Sequence, residues 1–195
     1  MSNDLPLTKE MILDAAEQVL RRFGPDKTSV VDIAKVLQVS HGTVYRHYPS
    51  KAALREAVTA RWLGGCISAP LEQIVSDEKG SATERLHTWL ATLCKSKKDY
   101  FTKDPEMFAM YAAETQDSVE IVKAHVNHLV MQIAAIVEQG IQSEEFKPGQ
   151  SEVIAKSIFL ATSRFHHPAH AKQWLAEEEE DDFQAVWELL LRGLQ

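Results

Sequence analysis

Within the first fifty residues, Thr8, Ser29, Ser40 and Ser50 each stand directly before a stretch of helical apolar period. A hydroxyl at that position caps the free amides of a helix start, so the spacing leaves room for four helices, the middle two very short. After Thr8, the residues Ile12, Ala15, Ala16, Val19, Leu20 and Phe23 form one stripe that ends at Gly24-Pro25. After Ser29, with Asp32 placed for a capping box, Val30, Ile33, Ala34 and Leu37 form a second. Ser40 opens a third helix that stops before Pro49, and Ser50 opens a fourth that carries Leu54, Ala57, Val58 and Trp62 inward. Helices as short as the second and third are not stable alone, so they must be held by neighbours and serve to present a face.

The rest of the chain extends this helical reading. No run alternates β-branched residues with period two, and no Asn-Gly or Asp-Gly turn joins two such runs. Helices are predicted from about Thr83 to Lys98, Pro105 to Thr115, Ser118 to Gln142 and Ser151 to Phe165. A His-rich turn at Pro168 and a last amphipathic helix through Phe183, Val186, Trp187, Leu190, Leu191 and Leu194 follow. The fold class expected is all-α, with a small N-terminal domain over residues 1–50 and a larger helical body over residues 51–195.

Charge and composition narrow the function classes. The formal net charge is −7, which argues against coating nucleic acid by bulk electrostatics. The charge is unevenly spread: residues 1–60 hold eight Lys or Arg against seven Asp or Glu, so the acidic excess lies in the remainder. A near-neutral head on an acidic body suits local contact with DNA by one face. No apolar run is long enough to span a bilayer and residues 1–7 lack the halves of a secretory signal, so a cytoplasmic location is expected. Cys66 and Cys94 form no CxxC pair and are expected to be reduced, buried core fillers. No nucleophile elbow, Gly-rich phosphate loop or His-Glu-x-x-His occurs, so the chain reads as a non-enzyme without a cofactor.

On a wheel of the third helix, Val44 and Tyr48 turn inward while Gly42, Thr43, Arg46 and His47 turn outward as a polar, cationic face. An α-helix fits the major groove, where Arg reads guanine and hydroxyls meet phosphate. The string Thr28-Ser29-Val30-Val31-Asp32-Ile33-Ala34, followed by Val39-Ser40-His41-Gly42-Thr43-Val44-Tyr45-Arg46-His47-Tyr48-Pro49-Ser50-Lys51 and Leu54, closely resembles the helix-turn-helix of TetR-type transcriptional regulators. The resemblance covers about the first quarter of the chain. It implies a three-helix DNA-binding domain in which His41, Gly42, Thr43, Tyr45, Arg46 and His47 lie on or beside DNA. Thr43, Tyr45 and Lys51 are then phosphate partners and His41 and Arg46 base readers. One departure is Gln38, where the family usually places Gly in the turn; Gln takes the required backbone at some cost.

The resemblance further implies a homodimer on a palindromic double-stranded operator, with recognition helices roughly 34 Å apart. A small apolar or aromatic effector in the body would tilt the fourth helix and release the repressor. Dimer-face candidates are Ile154, Ile158, Phe183, Trp187, Leu190 and Leu191, which a single subunit could also bury in its own core. Effector-pocket candidates are Trp62, Cys66, Trp89, Met107, Met110, Tyr111, His125, His128 and Phe159. A metal site is not expected: only one Glu-x-x-His pair, Glu84 and His87, is present, and His125, His128, His166, His167 and His170 read as surface or helix-end groups. The competing function is a helical small-molecule or metal-binding protein without specific DNA binding, which an operator search separates.

Overall fold

A computed structural model describes residues 6–77, 79–117 and 119–195. The described residues are helical without any strand, as the apolar periods predict. The elements are α1 (Lys9–Phe23), α2 (Val30–Val36), α3 (His41–His47), α4 (Lys51–Leu63), α5 (Ala69–Ser76), α6 (Ala82–Lys103), α7 (Pro105–Asp117), α8 (Val119–Gln142), α9 (Ser151–Ala161) and α10 (Glu179–Leu194). The predicted caps are in place: Thr8, Ser29, Ser40 and Ser50 accept from the amides of Met11, Asp32, Thr43 and Ala53. At Ser29 the box is incomplete, because the Asp32 carboxylate takes the Ser29 hydroxyl at 2.6 Å.

Three stretches differ from the sequence reading. Residues 64–76, to which the sequence assigned no element, continue the helical run: Gly64–Ser68 widen into a π turn and α5 follows with Pro70 in its first turn. Gly64-Gly65 looks like a breaker, yet nothing lies within 4 Å of an added Cβ at either, so the two glycines face solvent while Ile67 and Ser68 of the same turn are buried. Further on, α9 ends at Ala161 rather than Phe165. The Thr162 hydroxyl donates back to the Ile158 carbonyl at 2.9 Å, and Ser163–Phe165 tighten into a 3₁₀ turn. The His-rich turn becomes a longer 3₁₀ stretch, Pro168–Leu175, that buries Trp174 and donates its indole to Arg164 O.

Packing divides the chain into two compact units, Met1–Trp62 with Asp104–Ile121, and Leu63–Lys103 with Val122–Gln195. The first unit has α1 against α2 and α7 and α2 against α3. Its core is Ile12, Ala16, Val19, Ile33, Val44, Val58 and Met107. Arg61 on α4 ties it to α1, meeting Glu17 at 2.6 Å, Asp14 at 2.7 Å and Glu10 at 3.1 Å. The second unit gathers α5, α6 and the 3₁₀ stretch around Leu86, Trp89, Leu90, Leu93, Ile133 and Ile136. The start of α6 is capped from far along the chain, the Glu145 carboxylate accepting from Ala82 N at 3.0 Å and Thr83 N at 3.2 Å. Among the described residues no helix is long and apolar enough to cross a membrane.

Candidate nucleic-acid interface and effector site

The α2–α3 corner is fixed by backbone geometry. Gln38 lies at φ 56°, in the left-handed region. From there its amide donates to Lys35 O at 3.1 Å while Val39 N donates to Ala34 O at 3.0 Å. These two bonds are a Schellman closure of α2, the arrangement for which Gly is the usual choice because it has no Cβ to clash. The turn is therefore made with glutamine, as the sequence implies, at a cost of about 1 kcal/mol.

On α3, Val44 is fully buried and Tyr48 nearly so, and the ammonium of Lys9 sits 5.9 Å from the Tyr48 ring centre. His41, Gly42, Tyr45, Arg46 and Lys51 are exposed, and Thr43 and His47 half-buried. The outward side chains are ordered against one another. Ser40 Oγ lies 2.9 Å from Thr43 Oγ1, which accepts from the Arg46 guanidinium at 3.2 Å, and the His41 and Tyr45 rings meet edge to face at 6.3 Å. This holds the Arg46 guanidinium along the helix with donors left for a base edge or phosphate, which is what direct readout needs.

The nine sequence-predicted effector residues fall in both units. In the first, Trp62, Met107, Met110 and Tyr111 are buried, the Trp62 and Tyr111 rings 5.9 Å apart. Burial pushes the Tyr111 phenol up, so it stays protonated. In the same unit Glu114, with no exposed surface, pairs with the Arg55 guanidinium of α4, a contact the sequence reading missed.

In the second unit Trp89 is fully buried, Cys66, His125 and Phe159 are half-buried and His128 is exposed. Cys66 thus departs from the buried position expected, while Cys94 is buried; both thiols are free. Polar bonds join several of these groups. The Trp89 indole donates to Gln132 Oε1 at 2.9 Å, Gln132 Nε2 donates to Ser68 O at 3.2 Å and lies 3.1 Å from His128 Nε2, and Ser68 Oγ lies 3.3 Å from His125 Nδ1.

Nearby in charge is Lys97, which the sequence reading passed over although it continues the buried stripe of Leu86, Leu90 and Leu93 at helical spacing. It is 1% exposed, and burial draws its ammonium down to about 7. Burial and the Lys97 charge together hold His125 and His166 down to about 3. His166 corrects the reading of the histidines as surface or helix-end groups: it is buried, with Nε2 3.2 Å from Phe159 O and 3.3 Å from Thr162 Oγ1. Among the described residues no three His, Cys, Asp or Glu side chains converge on a metal position.

Of the dimer-face candidates, Ile158, Phe183 and Trp187 are buried within the single chain and Ile154, Leu190 and Leu191 are half-buried. His87 accounts for two of them, its ring 5.0 Å from Trp187 and 5.9 Å from Phe183. The apolar side chains left outward on α9 and α10 are instead Val153, Leu160 and Leu189, at 58%, 60% and 71% exposure.

Comparison with known proteins decides the family. Residues 12–58 match the model of bacterial regulatory proteins of the tetR family, and residues 82–187 match the tetracyclin repressor-like C-terminal domain. The chain belongs to the TetR family. It is a ligand-responsive, DNA-binding transcriptional regulator. A similar protein, the fatty acid metabolism regulator protein of Bacillus subtilis, is 26% identical, covering 94% of this chain and 93% of that protein. Two solved structures share the fold. Bacillus subtilis FadR in complex with stearoyl-CoA has a TM-score of 0.65 at 21% identity, covering 96% of this chain and all of that one. Thermus thermophilus FadR with lauroyl-CoA has a TM-score of 0.68 at 19% identity, covering 96% and 95%.

Proposed function

We propose that this TetR-family regulator is a repressor that binds a palindromic operator as a homodimer and leaves it when a small, largely apolar effector binds. The single observation that carries the DNA reading is the outward face of α3, where Thr43 holds Arg46 beside exposed His41 and Tyr45. In this reading Arg46 and His41 read base edges. Thr43, Tyr45 and Lys51 hold phosphates, while Gly42 and His47 lie against the backbone. The functional cut at residue 50 then separates a reading head from residues 51–195, which sense and dimerise. Outward Val153, Leu160 and Leu189 support pairing through α9 and α10, since three large apolar side chains at more than half exposure gain by leaving water.

The effector class is supported by the aromatic and methionine side chains of Trp62, Trp89, Met107 and Met110, and by the acyl-CoA esters bound in the two FadR structures. Effector binding acts by its unequal affinity for the DNA-competent and released conformers, with α4 as the element whose tilt resets the spacing of the two heads. Selection of fragmented genomic DNA on the purified protein tests the reading. A palindrome should be enriched by the wild type and lost with Thr43→Ala plus Arg46→Ala. Equal recovery of all fragments by both proteins at low salt would rule out specific operator binding and favour a ligand-binding protein without an operator.

A further inference from the structure

Within the second unit, α5 and the first turns of α6 enclose a cleft of about 320 Å³. Its walls include the half-buried Pro70 and Ile74 of α5 and, from α6, Arg85, which is only 7% exposed. The Arg85 guanidinium donates to Val75 O at 2.5 Å and to Gln139 Oε1 of α8. Both acceptors are neutral. Among the described residues no carboxylate pairs with Arg85, and its buried Nε has no hydrogen-bond partner. Val75 O lies in the last turn of α5, so a cation suits that helix end, but a carbonyl dipole does not cancel a full buried charge. Arg61 of the first unit is more exposed and meets three carboxylates.

The rim of the cleft is exposed and carries both signs. Lys79 engages Asp77, its amide donating to Asp77 Oδ1 at 3.2 Å and its ammonium 3.9 Å from the same oxygen. Glu84 Oε2 accepts from Ser81 N at 3.0 Å, while Ser81 Oγ accepts from Glu84 N at 3.1 Å, a reciprocal capping box. A buried cation therefore forms one wall and two carboxylates stand at the edge.

We infer that this cleft binds a small zwitterion of the amino-acid class, with its carboxylate on Arg85, its ammonium toward Glu84 and an apolar side chain along Pro70 and Ile74. A carboxylate supplies the counter-charge that Arg85 lacks, and the guanidinium keeps N–H donors beyond the two already engaged. A simple anion would be repelled by Glu84 and Asp77 at the rim, whereas an added ammonium turns that repulsion into attraction. The volume is at the small end for a ligand site and suits a molecule of amino-acid size better than a long acyl chain. The same guanidinium joins α5, α6 and α8, so a ligand held by it stabilises the arrangement of all three. Binding here needs neither the operator nor the apolar effector.

Calorimetric titration of the full-length protein with L-leucine, 4-methylpentanoate and 3-methylbutan-1-amine tests the assignment, since the last two lack the ammonium and the carboxylate respectively. L-Leucine should bind, with the acid and the amine each weaker by at least about tenfold. Gln73→Trp fills the cleft from an exposed position of α5 and should abolish binding while melting as wild type does. Glu84→Gln keeps the capping box, which glutamine also closes, and should bring L-leucine close to the affinity of 4-methylpentanoate. Arg85→Met would also remove two internal hydrogen bonds, so Arg85 is followed on unaltered protein: its Nε–H resonance should shift with L-leucine and stay in place with the amine. No binding of L-leucine by wild type, or binding that survives Gln73→Trp, would overturn the site. Equal affinity of wild type for L-leucine and 4-methylpentanoate would overturn the zwitterion.

Discussion

Each unit sets a basic side chain against its interior, with different consequences. In the first, the Arg55 guanidinium of α4 meets a fully buried carboxylate, Glu114 of α7. In the second, Lys97 of α6 is buried, and its charge adds to burial in opposing the protonation of His125 and His166. A charge matched by its opposite holds two helices together whatever the ligand state. A buried base instead makes the protonation of the histidines it acts on, and with it stability, follow pH. Pairing and pH-dependent consequences of buried charge are thus distinguishable within one chain.

The comparison is broken most easily at Arg55. Arg55→Met leaves the Glu114 carboxylate buried without its guanidinium and should cost about 3–5 kcal/mol at pH 7, read as a urea midpoint. A loss under about 1 kcal/mol would mean that the pair is not structural.

Acid should next weaken the second unit. His125 and His166 hold at about 3 in the folded chain against 6.5 when unfolded, so below pH 6.5 the unfolded chain takes up protons first. The stability they contribute is full above 6.5 and is lost as pH falls toward 3, at roughly 2 kcal/mol per histidine by pH 5. Lys97 works in a different window, its destabilisation easing only as pH rises above about 7. Urea melts at pH 7 and 5, with the histidine ring resonances followed by NMR, check this; rings that titrate near 6.5 contradict it.

On the DNA face, Arg46→Ala should cost about 1–3 kcal/mol of specific binding and relax base preference, while Lys51→Ala should weaken all sequences alike and lower the salt slope by about one. Competition binding at two salt concentrations distinguishes them. The smallest effect is expected at the turn. Gln38→Gly should stabilise by about 0.5–1 kcal/mol with operator affinity unchanged, because it relieves the left-handed backbone without touching α3.

Much of the first unit was legible because its signals are local. A cap hydroxyl acts three residues along, an apolar stripe repeats within two turns, and the Gln38 turn closes on Lys35 and Ala34. Where such signals fail, so does the reading. The π turn at Gly64–Ser68 has no side-chain cap, and the end of α9 depends on a threonine bonding back into its own helix.

The sequence by itself determined an all-helical chain, a short-helix head and the polar outward face of α3, since each follows from periods and caps within a few residues. Only the tertiary structure decided that Ile158, Phe183 and Trp187 belong to the interior while Val153, Leu160 and Leu189 remain outside. The same holds for Arg55 against Glu114, and for the burial of Lys97 and His166. Periodicity states which face of a helix is apolar, but the partner that covers it and the charge that faces it come from residues tens of positions away. Burial and pKa depend on those distant neighbours, and no local pattern in the sequence carries them.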